Sequence, residues 1–188
     1  KTRIYRKKKG LPRFHSNKLN ETIVATLRTN APMNQEFTLS YQLISSEAQL
    51  HTADQQLVTA AKEALTRAYA PYSKFQVGAA VRLQNGQLIE GNNQENIAYP
   101  SGLCAERVAL FYAGASFPDQ PIEAICIAVK GSFIAAENYV SPCGSCRQVM
   151  LESESRQQQP IRVLLVQNDG SILILNSCRD LLPFGFMK

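Results

Sequence analysis

Apolar and polar positions recur along the chain with two different periods, and the change between them marks the predicted helices and strands. Residues 37–43 alternate strictly, which predicts an extended strand at the edge of a sheet. From Asp54 to Ala70 the apolar residues recur at helical spacing. We therefore predict an amphipathic helix that Asp54 caps and Pro71 ends.

The middle of the chain predicts a hairpin and a buried central strand. Apolar runs at 75–83 and 87–90 flank Asn85-Gly86, which is the strongest short signal for a tight hairpin turn. Residues 122–129 are almost wholly apolar, as expected for a strand that is buried on both faces. The same reasoning predicts helices from Cys104 to Ala113 and from Cys143 to Arg156, and strands at 162–167 and 171–175. Helices interleaved with apolar strands indicate an α/β fold with a mixed sheet covered on both faces.

Positive charge is concentrated in a basic N-terminal extension, residues 1–32, which precedes a main domain, residues 33–188. The extension holds nine Lys or Arg and one acidic residue, whereas the main domain has a net charge of −3. The overall charge of +5 is therefore a property of the extension. Three interpretations of the extension stay open: an arm for nucleic acid or a membrane surface, an organelle-targeting segment, or a flexible, dispensable segment before Met33.

The cysteines and the apolar runs indicate in which cellular compartment the protein is expected. No window approaches the roughly 18 apolar residues of a membrane-spanning helix, and no apolar stretch follows the basic run as in a secretory signal. Cys126 lies in an apolar run and is interpreted as a buried thiol, and Cys178 has no visible partner. Free thiols and the absence of a signal predict a reducing, cytoplasmic location.

Three of the five cysteines form, with one glutamate, the pattern that carries chemistry. Cys104-Ala105-Glu106 is followed by Pro142 and a Cys-x-x-Cys pair, Cys143 and Cys146. A structural zinc site usually has four protein ligands, whereas a catalytic site has three and leaves the fourth position to water. The three thiols therefore predict a zinc ion that activates water, with Glu106 as the proton carrier. The alternative is that Glu106 is an ordinary first-turn carboxylate that faces the helix dipole.

Both ligand segments are predicted to open helices, where unpaired N–H groups favour the thiolate form that binds metal. Zinc with three thiolates carries a net negative charge, which a nearby cation should offset. We expect Arg107 to donate hydrogen bonds to the sulfurs, and Arg147 is placed to do the same. The alternative is that Arg107 is a surface residue of its helix.

This pattern is typical of zinc deaminases, and the chain resembles the small cytidine deaminases that act on free nucleosides. The resemblance is carried by residues 69–80, 93–96, 99–107, 142–148 and 181–186. It implies a three-layer α/β/α sandwich with a mixed five-stranded sheet and one zinc ion per subunit. It also implies hydrolytic deamination of cytidine and 2′-deoxycytidine to the uridines with release of ammonia, a reaction of pyrimidine salvage.

The resemblance further implies roles in substrate binding. Asn93 and Glu95 would bind the ribose hydroxyls, and Phe75 would stack near the pyrimidine. The backbone of Ala105 would touch the base. The ordinary interpretation of Asn93 and Glu95 is the polar end of a strand. The ordinary interpretation of Phe75 is the first apolar residue of a strand.

An oligomer is also implied, because Tyr99 and Phe186 would reach into the active site of a neighbouring subunit. Cys104, where larger dimeric relatives have histidine, points to the homotetrameric type. Ile97 departs from the alanine that is frequent in the family, which predicts a more crowded pocket.

Two alternatives are weighed against this function. One is a related deaminase, of the blasticidin type or one that edits polynucleotides. Asn93 and Glu95 favour a free ribose, and the acidic main domain argues against a nucleic-acid channel. The other is a non-catalytic, zinc-stabilised binding module whose basic extension is the working part.

Overall fold

The computed structural model describes residues 2–5, 36–131, 135 and 138–187, which fall into two units. The first unit, Thr2–Ser40, contains a two-stranded antiparallel sheet of β1 (Thr2–Tyr5) and β2 (Phe37–Ser40). The second unit begins at Tyr41 and contains all other elements. Most of the predicted extension lies outside the described residues, so the domain boundary at residue 33 stays a prediction.

The second unit is built on a mixed six-stranded sheet in the order β3-β8-β7-β6-β4-β5. Its strands are β3 (Gln42–Ile44), β4 (Gln76–Leu83), β5 (Leu88–Asn92), β6 (Ile122–Lys130), β7 (Arg162–Val166) and β8 (Ile172–Leu175). β6 and β7 are parallel, and the other pairs are antiparallel. The expectation of five strands was one short, because β3 pairs with β8 as an additional edge strand.

Three helices cover the sheet: α1 (Thr52–Thr66), α2 (Ala105–Ser116) and α3 (Gly144–Gln157). A Cβ atom on Gly78 would lie 2.1 Å from the Ala61 carbonyl oxygen in α1. A Cβ atom on Gly91 would lie 2.5 Å from the Ala105 carbonyl oxygen in α2. Gly91 pairs with Ala79, the neighbour of Gly78, so the two glycines face opposite sides of the sheet. Since α2 also packs on α3, the predicted three-layer α/β/α arrangement is observed.

Both close contacts between a strand and a helix require glycine, because a methyl group at either position would overlap the helix backbone. On the α1 side, fully buried Leu57 and Val58 pack against inward-facing strand residues that include Cys126 and Leu164. The prediction of a buried Cys126 is therefore confirmed. Burial of apolar surface on both faces of the sheet is the main stabilising contribution to this unit.

Two predicted elements are shorter in the structure than expected. The helix α1 ends at Thr66 rather than Ala70, because residue Tyr69 exchanges backbone hydrogen bonds with Asn93 and Glu95. The predicted strand at 37–43 is interrupted at Tyr41, which separates β2 from β3.

Asp54 is not the helix cap. His51 occupies that position, and the Asp54 carboxylate is buried against Arg82 and Arg162. Among the residues that the structure describes, no helix has the length and apolar character needed to cross a membrane.

Candidate active site

The candidate site lies at the end of the sheet where β5 and β6 end and β4 begins, and where α2 and α3 start. Cys104 is the N-cap of α2, and Cys143 is the N-cap of α3. Both N-cap residues have extended backbone conformations. Cys146 lies in the first turn of α3 and is fully buried. Two helix N-termini therefore direct their partial positive charge at the same three sulfurs.

The three sulfurs are arranged as a metal site. The Sγ atoms of Cys104 and Cys143 are 4.0 Å apart, those of Cys143 and Cys146 are 3.4 Å apart, and all three lie within 4.8 Å of one another. Tetrahedral zinc with bonds to sulfur of about 2.3 Å would place its thiolates about 3.8 Å apart. The donor set and its spacing therefore fit zinc with three protein ligands.

The sulfurs share negative charge. Hydrogen bonding from the Cys146 thiol lowers the pKa of Cys104 to about 5, against burial, and Arg107 contributes in the same direction. Hydrogen bonding to Cys104 raises the pKa of Cys146, and burial adds to this effect. The cluster thus holds a thiolate that a divalent cation would neutralise.

Glu106 projects from the first turn of α2 beside these sulfurs and is only 5% exposed. Burial raises its pKa to about 6, and the charge on Cys104 adds to the effect. A carboxyl group with a pKa near neutrality can both accept and return a proton.

The two arginines that follow site residues have different partners. Arg107 donates from Nη2 to Cys104 Sγ at 3.5 Å, as expected for a cation that offsets thiolate charge. Its buried Nε has no hydrogen-bond partner among the residues that the structure describes. Arg147 instead donates to the carbonyl oxygens of Pro142 and Leu181, at 2.8 and 3.0 Å.

A cleft of about 370 Å³ opens onto Cys104 and Arg107. It brings together three of the residues expected to bind substrate: Asn93, Glu95 and Tyr99. The other residues that line it are Tyr72, Ser73, Gln94, Asn96, Gly102 and Leu103. The hydroxyl, amide and carboxyl groups among these residues, next to Cys104, suit a small ligand with polar groups of its own.

Three expected substrate residues do not line this cleft. Phe75 lies next to it, and its carbonyl oxygen accepts a hydrogen bond from Asn93 Nδ2 at 2.9 Å. Ala105 is the first residue of α2 and is fully buried. Phe186 is held on α3 by Gln148, whose amide contacts both its N–H and its carbonyl oxygen, and the residue is 87% exposed.

Sequence reasoning missed Tyr72 and Ser73, which line the cleft and contact Glu95. Their position two and three residues before Phe75, inside the segment 69–80, is the signal that could have identified them. Ile97 is 82% exposed and is not among the residues that line the cleft of the single chain, so the crowding expected from it stays a prediction.

Comparisons with known proteins agree with this geometry. The family described as "Cytidine and deoxycytidylate deaminase zinc-binding region" matches residues 51–160. A cytidine deaminase of Halalkalibacterium halodurans is 44% identical over 98 residues, which cover 52% of this chain and 70% of the relative. A cytidine deaminase of Mycobacterium tuberculosis is 36% identical over 105 residues, which cover 54% of this chain and 74% of the relative.

Solved structures show the same likeness. The crystal structure of cytidine deaminase from Burkholderia pseudomallei superimposes with a TM-score of 0.60 at 39% sequence identity. The superposition covers 70% of this chain and 97% of that one.

Proposed function

Since the chain belongs to the cytidine and deoxycytidylate deaminase family, we propose that it catalyses the zinc-dependent hydrolytic deamination of cytidine and 2′-deoxycytidine. The products are uridine or 2′-deoxyuridine and ammonia. One observation carries the proposal: three sulfurs within 4.8 Å of one another lie beside the buried carboxylate of Glu106, and one of them, on Cys104, borders a cleft lined by Asn93 and Glu95. Three ligands, a proton carrier and space for a substrate are the parts that a hydrolytic zinc enzyme needs.

The protein's own groups divide the work. Cys104, Cys143 and Cys146 would hold the zinc ion, which would supply the Lewis acidity that lowers the pKa of the attacking water. Glu106 accepts a proton from the attacking water and transfers it to N3 of cytosine. Glu106 then accepts a second proton, from the hydroxyl group now on C4, and gives it to the amino group, so that the C–N bond breaks, ammonia leaves and the C4 carbonyl forms. Its pKa of about 6 suits both directions of transfer.

Substrate recognition is assigned to two residues that line the cleft and to two that do not. Asn93 and Glu95 offer an amide and a carboxylate to the sugar hydroxyls, and Phe75 and the Ala105 backbone contact the pyrimidine. Arg107 is the cationic side chain among the residues that line the cleft, and it points at a cysteine sulfur. A polynucleotide would need several cations along its phosphates, so this cleft favours a free nucleoside.

The proposal includes a homotetramer with active sites at subunit interfaces. Tyr99 and Phe186 are 77% and 87% exposed in the single chain, and Phe111 and Tyr112 are exposed on α2. Large exposed aromatic residues are typical of protein–protein interfaces. A reducing compartment such as the cytoplasm would keep the three ligand thiols available for zinc.

An assay on the purified full chain tests the proposal. Cytidine and 2′-deoxycytidine should lose their ultraviolet absorbance and release one ammonia each, and a chelator should abolish both signals until zinc is restored. A protein that binds zinc in a one-to-one ratio yet deaminates neither nucleoside would be the non-catalytic binding module instead. Light scattering on the same sample tests the tetramer.

A further inference from the structure

The turn before β4 is built around the carboxylate of Glu95. Glu95 Oε2 accepts hydrogen bonds from the backbone N–H groups of Tyr72 and Ser73, at 2.9 and 3.2 Å. The Ser73 hydroxyl donates to Glu95 Oε1. Both oxygens of one carboxylate are therefore bound by two consecutive residues, which fixes its orientation in the cleft.

The direction of the Ser73 hydroxyl follows from its second partner. The Phe75 N–H donates to Ser73 Oγ at 3.0 Å, so the hydroxyl proton is free to point at Glu95. Lys74, between these residues, has a left-handed backbone conformation with φ of 56°. This conformation folds the turn so that Ser73 Oγ reaches both Phe75 and Glu95.

A second set of hydrogen bonds fixes the other end of Phe75. Asn93 Nδ2 donates to the Phe75 carbonyl oxygen at 2.9 Å, and Asn93 Oδ1 accepts from the Val77 N–H at 2.8 Å. The residue assigned to the pyrimidine and the two residues assigned to the sugar thus belong to one network, and Ser73 connects them.

We propose that Ser73 is a positioning residue for recognition of the sugar hydroxyls, acting through Glu95. The inference rests on the proposed function, because it assigns sugar binding to Glu95. A carboxylate is an acceptor only, and each oxygen has more than one lone pair, so Glu95 bound by Ser73 still accepts from a sugar hydroxyl. A carboxylate held in advance loses less conformational freedom when the nucleoside binds.

The charge state of Glu95 agrees with this role. Burial acts in the opposite direction, but hydrogen bonds from Ser73 and Tyr72 and the charge of Lys74 lower the pKa of Glu95. The group is therefore ionised at neutral pH and offers its stronger, charged acceptor to the sugar.

The test compares two substrates that differ only in the sugar, cytidine and 2′,3′-dideoxycytidine. In Ser73→Ala the Tyr72 and Ser73 N–H groups still bind Glu95, so the variant should fold and the carboxylate should only be loosened. We expect kcat/KM for cytidine to fall about tenfold, as for loss of one hydrogen bond to a charged group, mainly through KM. The value for the dideoxynucleoside should stay within about twofold.

Two matched variants accompany this measurement. Ser73→Thr keeps the hydroxyl and should recover most of the loss for cytidine. Ser153→Ala removes a serine hydroxyl that donates to the Val149 carbonyl oxygen of its own helix, α3, away from the cleft, and should leave both substrates unaffected.

Two results would overturn the proposal. Equal losses for both nucleosides would show that Ser73 supports the cleft as a whole rather than the sugar subsite. Unchanged kinetics for cytidine would show that Glu95 needs no support from Ser73. If the wild-type protein deaminates neither nucleoside, the proposed function fails, and calorimetric binding of the same two nucleosides to wild type and Ser73→Ala still decides the role of Ser73.

Discussion

Two carboxyl groups at opposite ends of the same sheet are almost equally buried, yet their pKa values are shifted in opposite directions. Asp54 is 3% exposed and Glu106 is 5% exposed. At Asp54 burial is opposed by hydrogen bonds and charge from Arg162 and Arg82, and the net effect lowers the pKa. At Glu106 burial dominates and raises the pKa to about 6.

The two pKa values differ because the neighbouring charges differ, not because one group is more deeply buried. Asp54 accepts from Arg82 Nη2 and Arg162 Nη2, each at 2.9 Å, and Arg82 also binds Glu123 at 2.8 Å. Glu106 lies beside cysteine sulfurs that carry negative charge of their own. A fully paired carboxylate stays ionised and stabilises the fold, whereas a poorly compensated one is ready to exchange a proton.

The largest expected effect comes from removing the reactive carboxylate. Glu106→Gln keeps the volume and the three thiols, so zinc content measured by mass spectrometry should stay at one per chain. We expect kcat for cytidine to fall about 10³-fold, because the amide cannot carry the proton. The exposed Glu152→Gln on α3 is the matched control. Turnover near the wild-type rate in Glu106→Gln would show that Glu106 is not the catalytic proton carrier.

The next effect concerns stability at the other end of the sheet. Arg82→Met leaves Asp54 with only the half-exposed Arg162, and we expect the free energy of unfolding in urea to fall by about 3 kcal/mol. Arg67→Met breaks an exposed ion pair with Glu90 and should cost about 0–1 kcal/mol. Turnover of the folded Arg82→Met protein should match that of the wild type. Similar losses in the two arginine variants would contradict the structural role of the buried cluster.

The site around Glu106 was predicted from the sequence, whereas Asp54 was wrongly predicted to cap a helix. The two cases differ in how far apart along the chain the interacting residues lie. Cys104 and Glu106 share one helix turn, and Cys143 and Cys146 share another, so local spacing already fixes their geometry. Asp54 meets Arg162, 108 positions away, and within its own segment it had the pattern of a helix cap. Partners that only the folded sheet brings together leave no local pattern.

The same limit explains the remaining differences in the fold and the cleft. The contact between Ser73 and Glu95 joins residues 22 positions apart and depends on a left-handed residue between Ser73 and Phe75. The strand β3 has three residues and becomes part of the sheet only by pairing with β8. The long apolar runs and the Asn85-Gly86 hairpin did predict β4, β5 and β6, because their signals are contained within each segment.

A smaller effect should appear only in acid. The folded-state pKa of Asp54 lies below its ordinary value of 3.8, so its ionisation stabilises the fold above that value and this contribution is lost as the pH falls through the folded-state pKa. Asp54→Asn does not titrate. The stability difference between wild type and this variant should therefore be constant near neutrality and narrow below pH 3.8, as measured by urea unfolding. A difference that does not change with pH would mean that the arginines do not hold the Asp54 pKa down.

The smallest effect is expected from removing the basic extension altogether. The partners of Asp54 and the surroundings of Glu106 all belong to the second unit, which begins at Tyr41, and the family match begins at residue 51. A protein that starts at Met33 should therefore keep kcat/KM for cytidine within about twofold and should unfold at the same urea concentration. A tenfold loss of activity with unchanged stability would show that the extension contributes to substrate binding or assembly. A loss of stability with unchanged turnover would show that the extension stabilises the fold, as the Asp54 cluster does, and has no part in catalysis.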